Sequence, residues 1–300
     1  MGPAPPTCHF TLATSRLPIK NLYISDLDGT LLGPDGWLRE ECREGLHSLL
    51  SDGLHFTVAS ARSMFSIRQI LRDLPIRLPI VNFNGAYLSD FATGRHTMVN
   101  AIEPTIAEEI YDLLGDPYDF VPFISTYDGT ADRLYYNEVR NEGMQWYVSD
   151  RFANRDERWR KSDNLRAHLV DEVICLTIID REEKLAPLAE ELDETYGASV
   201  QVHILASMYS PGWYWLTVHA GAATKANAIA QLRQDYGLDD HRLVVFGDQS
   251  NDLPMFRIAD HGVAVENAID ELKEQADTII GPNTEGSVVR YLQDIVMRPR

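Results

Sequence analysis

The sequence predicts an α/β protein: a Rossmann-like parallel-sheet core interrupted by an inserted α+β domain. Three observations carry this expectation. Short apolar runs alternate with helical stretches at both ends of the chain. That rhythm breaks between about residues 102 and 219. The runs at the two ends stop at polar, often acidic, residues. A chain of 300 residues is long enough for one large domain or two modest ones.

The runs Asn21-Leu22-Tyr23-Ile24-Ser25, His55 to Ala59, Pro79 to Phe83, Leu243 to Phe246, Gly262 to Val265 and Asp277 to Ile280 are short and almost continuously apolar. Such runs suit strands buried on both faces, as in a parallel sheet covered by helices. Helices are expected between them. Ile67, Ile70, Leu71 and Leu74 keep helical spacing after a Ser63 cap, and Leu46, Leu49 and Leu50 form a stripe that ends at Gly53. Thr224 can cap a third helix with an inner face of Ala226, Ile229, Ala230, Leu232 and Tyr236.

The middle reads differently. Helices are expected from Pro104 to Leu114, Glu138 to Phe152 and Glu182 to Tyr196, with a strand from Val173 to Ile179. Two alternating runs, Ser199 to Leu205 and Trp213 to His219, flank the turn-prone Ser210-Pro211-Gly212. The division follows: residues 1–18 a proline-rich disordered tail, 19–101 and 220–300 the core, and 102–219 the insertion. Tyr127, Trp146, Trp213 and Trp215 are candidates for the inner surface of the insertion, although core packing accounts for any one of them.

Composition removes several function classes. Lys plus Arg number 27 against 45 Asp plus Glu, a net charge of −18. With no basic patch, the chain gains nothing from nucleic acid or an anionic membrane. Cys8, Cys42 and Cys175 are scattered, with no Cys-x-x-Cys pair for zinc or redox chemistry. No apolar run approaches the roughly 18–20 residues of a membrane helix, and Met1 to Pro6 lacks the character of a signal peptide. A cytoplasmic monomer or homodimer is the expectation.

The chemistry lies at the strand ends, where open α/β sheets collect their ligands. The first strand runs into Asp26-Leu27-Asp28-Gly29-Thr30. In extended backbone, residues two apart share a side, so both carboxylates would face one site. The second ends in Ser60-Ala61-Arg62, a hydroxyl at a helix start. Lys225 occupies the first turn of its helix, where the dipole disfavours a cation. A later strand ends in Gly247-Asp248-Gln249-Ser250-Asn251-Asp252. Each feature alone has a plain structural explanation as a turn, a cap or a solvated charge. Together they are harder to dismiss. Like charges about 4 Å apart repel by roughly 4 kcal/mol at an effective dielectric near 20. Several acids at one sheet edge need protons or a divalent cation, and an oxygen-only ligand set suits Mg²⁺ beside phosphate.

In this order and placement, the four elements resemble the motifs of the haloacid dehalogenase-like (HAD) hydrolase superfamily. The layout resembles its Cof-type sugar-phosphatase branch, which carries a large inserted type-two cap. Asp26 to Thr30 resembles the first motif, Ser60 the second, Lys225 the third and Gly247-Asp248 through Asn251-Asp252 the fourth, and Asn84-Gly85-Ala86 matches a further signature of the branch. Two positions depart from the pattern: Ala61 and Ala226 stand where the branch usually has glycine.

The resemblance implies a phosphatase acting on small phosphorylated metabolites, sugar phosphates above all, through an aspartyl-phosphate. Asp26 would be the nucleophile and Asp28 the acid and base. Mg²⁺ would be held by the Asp26 side chain, the Asp28 backbone carbonyl and Asp248, with Asp252 behind. Ser60, Lys225 and Asn251 would meet the phosphate, and Arg62 and Asn84 are candidate substrate contacts. Two other readings compete: a phosphomutase or phosphotransferase, and a binding protein that keeps the fold without catalysis.

Overall fold

The computed structural model describes residues 20–207 and 209–297. The expected tail over residues 1–18, and Cys8 with it, lies outside the described residues. In chain order the elements are β1 (Asn21–Ser25), α1 (Glu40–Ser51), β2 (Phe56–Val58), α2 (Met64–Leu71), β3 (Ile80–Asn82), β4 (Tyr87–Ser89), β5 (His96–Val99) and α3 (Pro104–Gly115). There follow β6 (Phe123–Tyr127), β7 (Asp132–Tyr136), α4 (Glu142–Ala153), β8 (Trp159–Lys161), β9 (Glu172–Asp180), α5 (Glu182–Tyr196), β10 (Val200–Ala206) and β11 (Tyr214–Ala220). The chain closes with α6 (Lys225–Asp235), β12 (Arg242–Gly247), α7 (Leu253–Ile258), β13 (His261–Val265), α8 (Asp270–Gln275), β14 (Thr278–Ile280) and α9 (Ser287–Met297).

Strands β14-β13-β12-β1-β2 form a wholly parallel sheet. Leu22, Tyr23 and Ile24, Leu243 to Phe246, and Val263 to Val265 are buried at successive positions, because helices cover both faces. Each such side chain contributes roughly 1.5–3 kcal/mol by leaving water. The chain steps from β1 to β2 on one side, whereas β12, more than 200 residues on, lies on the other. The carboxyl ends of β1 and β12 therefore flank the point where strand order reverses, the usual ligand crevice of an open sheet.

The third run behaves differently from expectation. β3 touches the parallel sheet through one bridge, Ala59 to Val81, and its ladder is antiparallel with β4. The Thr57 hydroxyl donates to the Pro79 carbonyl and the Ser60 amide to Val81, so β3 stays beside β2 without a full ladder.

The second sheet, β10-β11-β9-β6-β7-β8, is antiparallel except for the β7–β8 pair. Its long strands alternate. Ile174, Leu176 and Ile178 of β9 and Leu216 and Val218 of β11 pack with Leu185, Leu188 and Leu192 of α5 and with α3. The opposite face is left to other uses. Helix α4 starts at Glu142 rather than Glu138, because the Asn141 side chain accepts from the Met144 amide and caps it there.

Helix α6 corrects another expectation. Lys225, Ala228, Ile229 and Leu232 are buried, whereas Ala230 and Tyr236 are exposed and Ala226 is half-buried. The lysine sets the phase. Its ammonium group must meet buried carboxylates, so the inner stripe runs i, i+3, i+4 and i+7 from Lys225.

Candidate active site

Asp26 follows β1 directly. Asp26 (φ −63°, ψ 164°) and Asp28 (φ −72°, ψ 122°) have extended dihedrals, but the buried Leu27 between them opens a helical turn; both carboxylates line the same cavity through that turn rather than through strand alternation. The chain then turns at Gly29, whose φ of +77° suits glycine. A Cβ there would also strike the Asp248 carboxylate. The Thr30 hydroxyl donates to Asp248 Oδ1 at 2.8 Å, joining the turn after β1 to the loop after β12.

That loop folds on Asp252. Its Oδ2 accepts the amides of Asp248 and Gln249 at 2.9 and 3.0 Å, while its Oδ1 accepts from Lys225 Nζ at 2.6 Å. The same ammonium group donates to Asp26 Oδ1 at 2.6 Å. Lys225 arrives because Thr224 caps α6 and because Gly85, at φ +98°, lets the chain press against the Thr224 carbonyl where a Cβ would collide. Asn84 accepts a hydrogen bond from Asn251 Nδ2 at 3.0 Å.

Ligand atoms of Asp26, Asp248 and Asp252 lie within 4.8 Å of one another, all buried. Burial pushes Asp26 well above the usual carboxylate range against the pull of Lys225, and the neighbouring acids add to the rise. Burial and the charge of Asp252 push Asp248 up to about 7, against the Thr30 hydrogen bond. Burial also works against the charge on Lys225, yet Asp252 and Asp26 hold it above the ordinary lysine value. The cluster thus contains more negative charge than its one lysine can offset. With oxygen donors only, it fits a hard divalent cation. The chemistry of the donors makes Asp26 and Asp248 the stronger candidates, since both oxygens of Asp252 are already taken by Lys225 and the two amides.

Asp28 is held apart from this cluster. Arg62 donates to its two oxygens through Nε (2.7 Å) and Nη2 (2.6 Å), and the Tyr209 hydroxyl donates to Oδ1 at 2.6 Å. Burial alone would raise the Asp28 pKa, but the Arg62 fork and then Tyr209 hold it below the usual range. Arg62 is therefore engaged with a carboxylate, and its Nη1 donates to Ser66 at 3.0 Å. Ser60 Oγ accepts the Arg62 amide at 3.1 Å. Ser60, Lys225, Asp248 and Asp252 are buried behind the floor of the cavity, whereas Asp26, Asp28, Arg62, Asn84 and Asn251 line it. Ala61 also lines it and is exposed, so its methyl group fits where the motif has glycine.

The cavity measures about 670 Å³. Its roof is the part of the antiparallel sheet's opposite face left beside the small cluster of Phe123, Met144, Val148 and Ile179: Cys175 and Thr177 of β9 alternate with the residues packed on α5, as do Trp215, Thr217 and His219 of β11. Trp146 of α4 joins them. Trp213 does not, since it stacks under Arg181 at 3.9 Å, and Tyr127 packs instead against Tyr87 and His96. Tyr209 has no signal in the sequence; it stands in a loop without periodicity, one residue before the Ser210-Pro211-Gly212 turn. His219 points into the strand interior, where its Nδ1 donates to the Ile174 carbonyl at 3.1 Å, and burial pushes its pKa down to about 3.

An acidic cluster tied to a buried lysine at the switch point of a parallel sheet, under an antiparallel roof, defines a class of α/β hydrolases. The chain belongs to the haloacid dehalogenase-like hydrolase family, whose model matches residues 23–292. It is 26% identical to 5-amino-6-(5-phospho-D-ribitylamino)uracil phosphatase YitU of Bacillus subtilis, over 91% of this chain and 96% of that protein. A solved protein of Thermotoga maritima is 29% identical with a TM-score of 0.73, covering 92% of this chain and 97% of its own. A haloacid dehalogenase-like hydrolase from Bacteroides thetaiotaomicron matches with a TM-score of 0.76 at 23% identity, over 92% and 99% of the two chains. No helix among the described residues is long and apolar enough to cross a membrane.

Proposed function

We propose that the protein is a Mg²⁺-dependent phosphatase of small phosphorylated metabolites, sugar phosphates among them, and that Asp26 carries the phosphoryl group. The observation behind this reading is the meeting of Asp26, Asp248, Asp252 and Lys225 in one buried cluster whose Asp26 opens onto the cavity.

Asp26 would attack phosphorus in line with the leaving oxygen, forming an aspartyl-phosphate and splitting one displacement into two. Lys225 fixes the Asp26 carboxylate through Oδ1, which leaves Oδ2 for the attack. Asp28 is set up as the base that takes a proton from the attacking water, since Arg62 and Tyr209 keep it ionised. Its earlier duty as acid toward the leaving oxygen requires those two partners to give way as the ester enters. Asn251 and Asn84, at the cavity wall, are placed to orient substrate oxygens; Ser60 would act from behind, through the Arg62 amide. Asp26, Asp248 and the Asp28 backbone carbonyl would hold Mg²⁺, which neutralises phosphoryl charge, with Asp252 acting on Lys225. In this reading residues 102–219 serve as the cap that closes the site and selects the substrate, on a core of residues 19–101 and 220–300.

The test is phosphate release from a panel of phosphorylated metabolites with Mg²⁺, by the wild-type protein and by Asp26→Asn. Turnover of at least one compound that Asp26→Asn abolishes supports the reading, and turnover that survives the substitution refutes it.

A further inference from the structure

The overall charge of the chain is strongly negative, yet the charged side chains of the cavity divide by position. Asp26 and Asp28 stand on the floor, and apart from Arg62, which is spent on Asp28, the remaining charges are two arginines of the insertion, Arg151 and Arg158. Arg158 is nine-tenths buried. Its Nε and Nη2 bind the buried Asp156 at 2.9 and 2.6 Å, and its third nitrogen, Nη1, is buried without a hydrogen bond among the described residues. An orphaned donor of this kind is costly unless something is meant to meet it. Arg151, at the end of α4, lies over the Tyr147 ring at 5.1 Å. Among the described residues its Nε forms a loose ion pair with Asp150 at 3.5 Å and is likewise buried without a hydrogen bond.

Four aromatic residues, Phe83, Trp146, Tyr147 and Trp215, share the lining with the polar Thr177, Ser207 and Thr217. Trp146 and Tyr209 lie nearly parallel, at 10° between planes, and Trp215 meets Trp146 edge-on. The parallel Trp146 and Tyr209 rings and the edge of Trp215 offer a flat, unsaturated group stacking and edge contacts.

Resting on the phosphatase reading above, we infer that Arg151 and Arg158 form a second anion subsite. The preferred substrates are then phosphate monoesters whose organic part is flat and apolar and ends in a further acidic group, a carboxylate or a second phosphate. Arg158 Nη1 and the Arg151 guanidinium receive that group, while the ester phosphate lies at Asp26.

The experiment is calorimetric titration of the full chain, with Mg²⁺ present, with para-carboxybenzyl phosphonate and para-methylbenzyl phosphonate, which bind without turnover. Charge-assisted hydrogen bonds of this type correspond to about tenfold or more in affinity, so the carboxylate compound should bind at least that much more tightly. Arg151→Gln should cut the preference, and Arg158→Gln combined with Asp156→Asn should abolish it; the paired change avoids stranding a buried carboxylate. Equal affinities in the wild type, including no detectable binding of either, overturn the subsite. So does a preference that survives Arg151→Gln together with the paired variant, or Arg151→Gln alone if the paired variant does not fold. Phosphate release from the matching esters is read in parallel. A carboxylate preference in binding without any phosphate release overturns the phosphatase reading and supports the subsite, whereas release from both esters with no preference overturns the subsite alone.

Discussion

Replacing Lys225 by Met tests whether buried charge, rather than packing, organises the candidate site. The lysine is fully buried and donates at 2.6 Å to both Asp26 and Asp252, which are buried too. Methionine fills nearly the same volume, so the cavity term is small, but it leaves two carboxylates without their cation. Breaking a buried pair in this way costs about 3–5 kcal/mol. For a chain of this size that corresponds to a fall in melting temperature on the order of 10 °C. Because the Lys225 pKa is raised above 10.5, its stabilisation is fully present through the neutral range and is lost only at more alkaline pH. The loss in Lys225→Met should shrink as the pH is lowered, since Asp26, already pushed above the usual range, then takes up a proton. Thermal unfolding followed by circular dichroism in chelator, at about pH 8 and about pH 5, measures both effects. A variant that melts within about 2 °C of wild type near pH 8 would refute the reasoning.

Three other outcomes are expected. Gly29→Ala places a Cβ against the Asp248 carboxylate at a φ of +77°, so the protein should fold with about 1–3 kcal/mol less stability and lose activity on the order of a hundredfold; unfolding curves and phosphate release decide it. Tyr209→Phe removes a hydrogen bond to ionised Asp28 and should raise its pKa, moving the corresponding limb of the pH–kcat profile to higher pH; an unmoved profile contradicts a role for that contact. Asp248, at about 7 in the folded protein against 3.8 ordinarily, keeps a proton that the unfolded chain releases. Without a divalent cation its contribution should therefore lower stability as pH rises from about 4 to about 7 and stay level above. Asp248→Asn should gain on wild type across that window in chelator and not in Mg²⁺, and a constant difference in unfolding free energy would speak against the cluster as a cation site.

The parts of the site that are legible in the sequence are those fixed by local geometry. Asp26 and Asp28 are legible as a pair because they follow β1 directly, although the turn at Leu27 rather than strand alternation brings both to the cavity, and Thr224 announces α6 because capping is local. The meeting of Asp26 with Asp248 follows from β1 and β12 being adjacent parallel strands, with Ser25 opposite Phe246. Other features depend on long-range contacts that leave no periodic trace. The phase of α6 is set by what Lys225 must reach rather than by the apolar pattern, which is why Ala230 and Tyr236 face out. Asp28 meets Tyr209 across 181 positions through a loop side chain. Of the four aromatic residues considered for the cavity, Trp146 and Trp215 line it, and Trp213 is drawn away by Arg181. The two arginines at the cavity wall fall in the densest basic stretch of the chain, where Asp156 and the neighbouring Glu157 mask their effect on local charge.

The claim on which the account depends is that Asp26 itself accepts the phosphoryl group. Acid quenching of the wild-type protein during turnover of an active ester, followed by peptide mapping in a mass spectrometer, measures this directly. The account predicts a phosphoryl group on the peptide that carries Asp26, absent from Asp26→Asn. A phosphoryl group on any other side chain would contradict it.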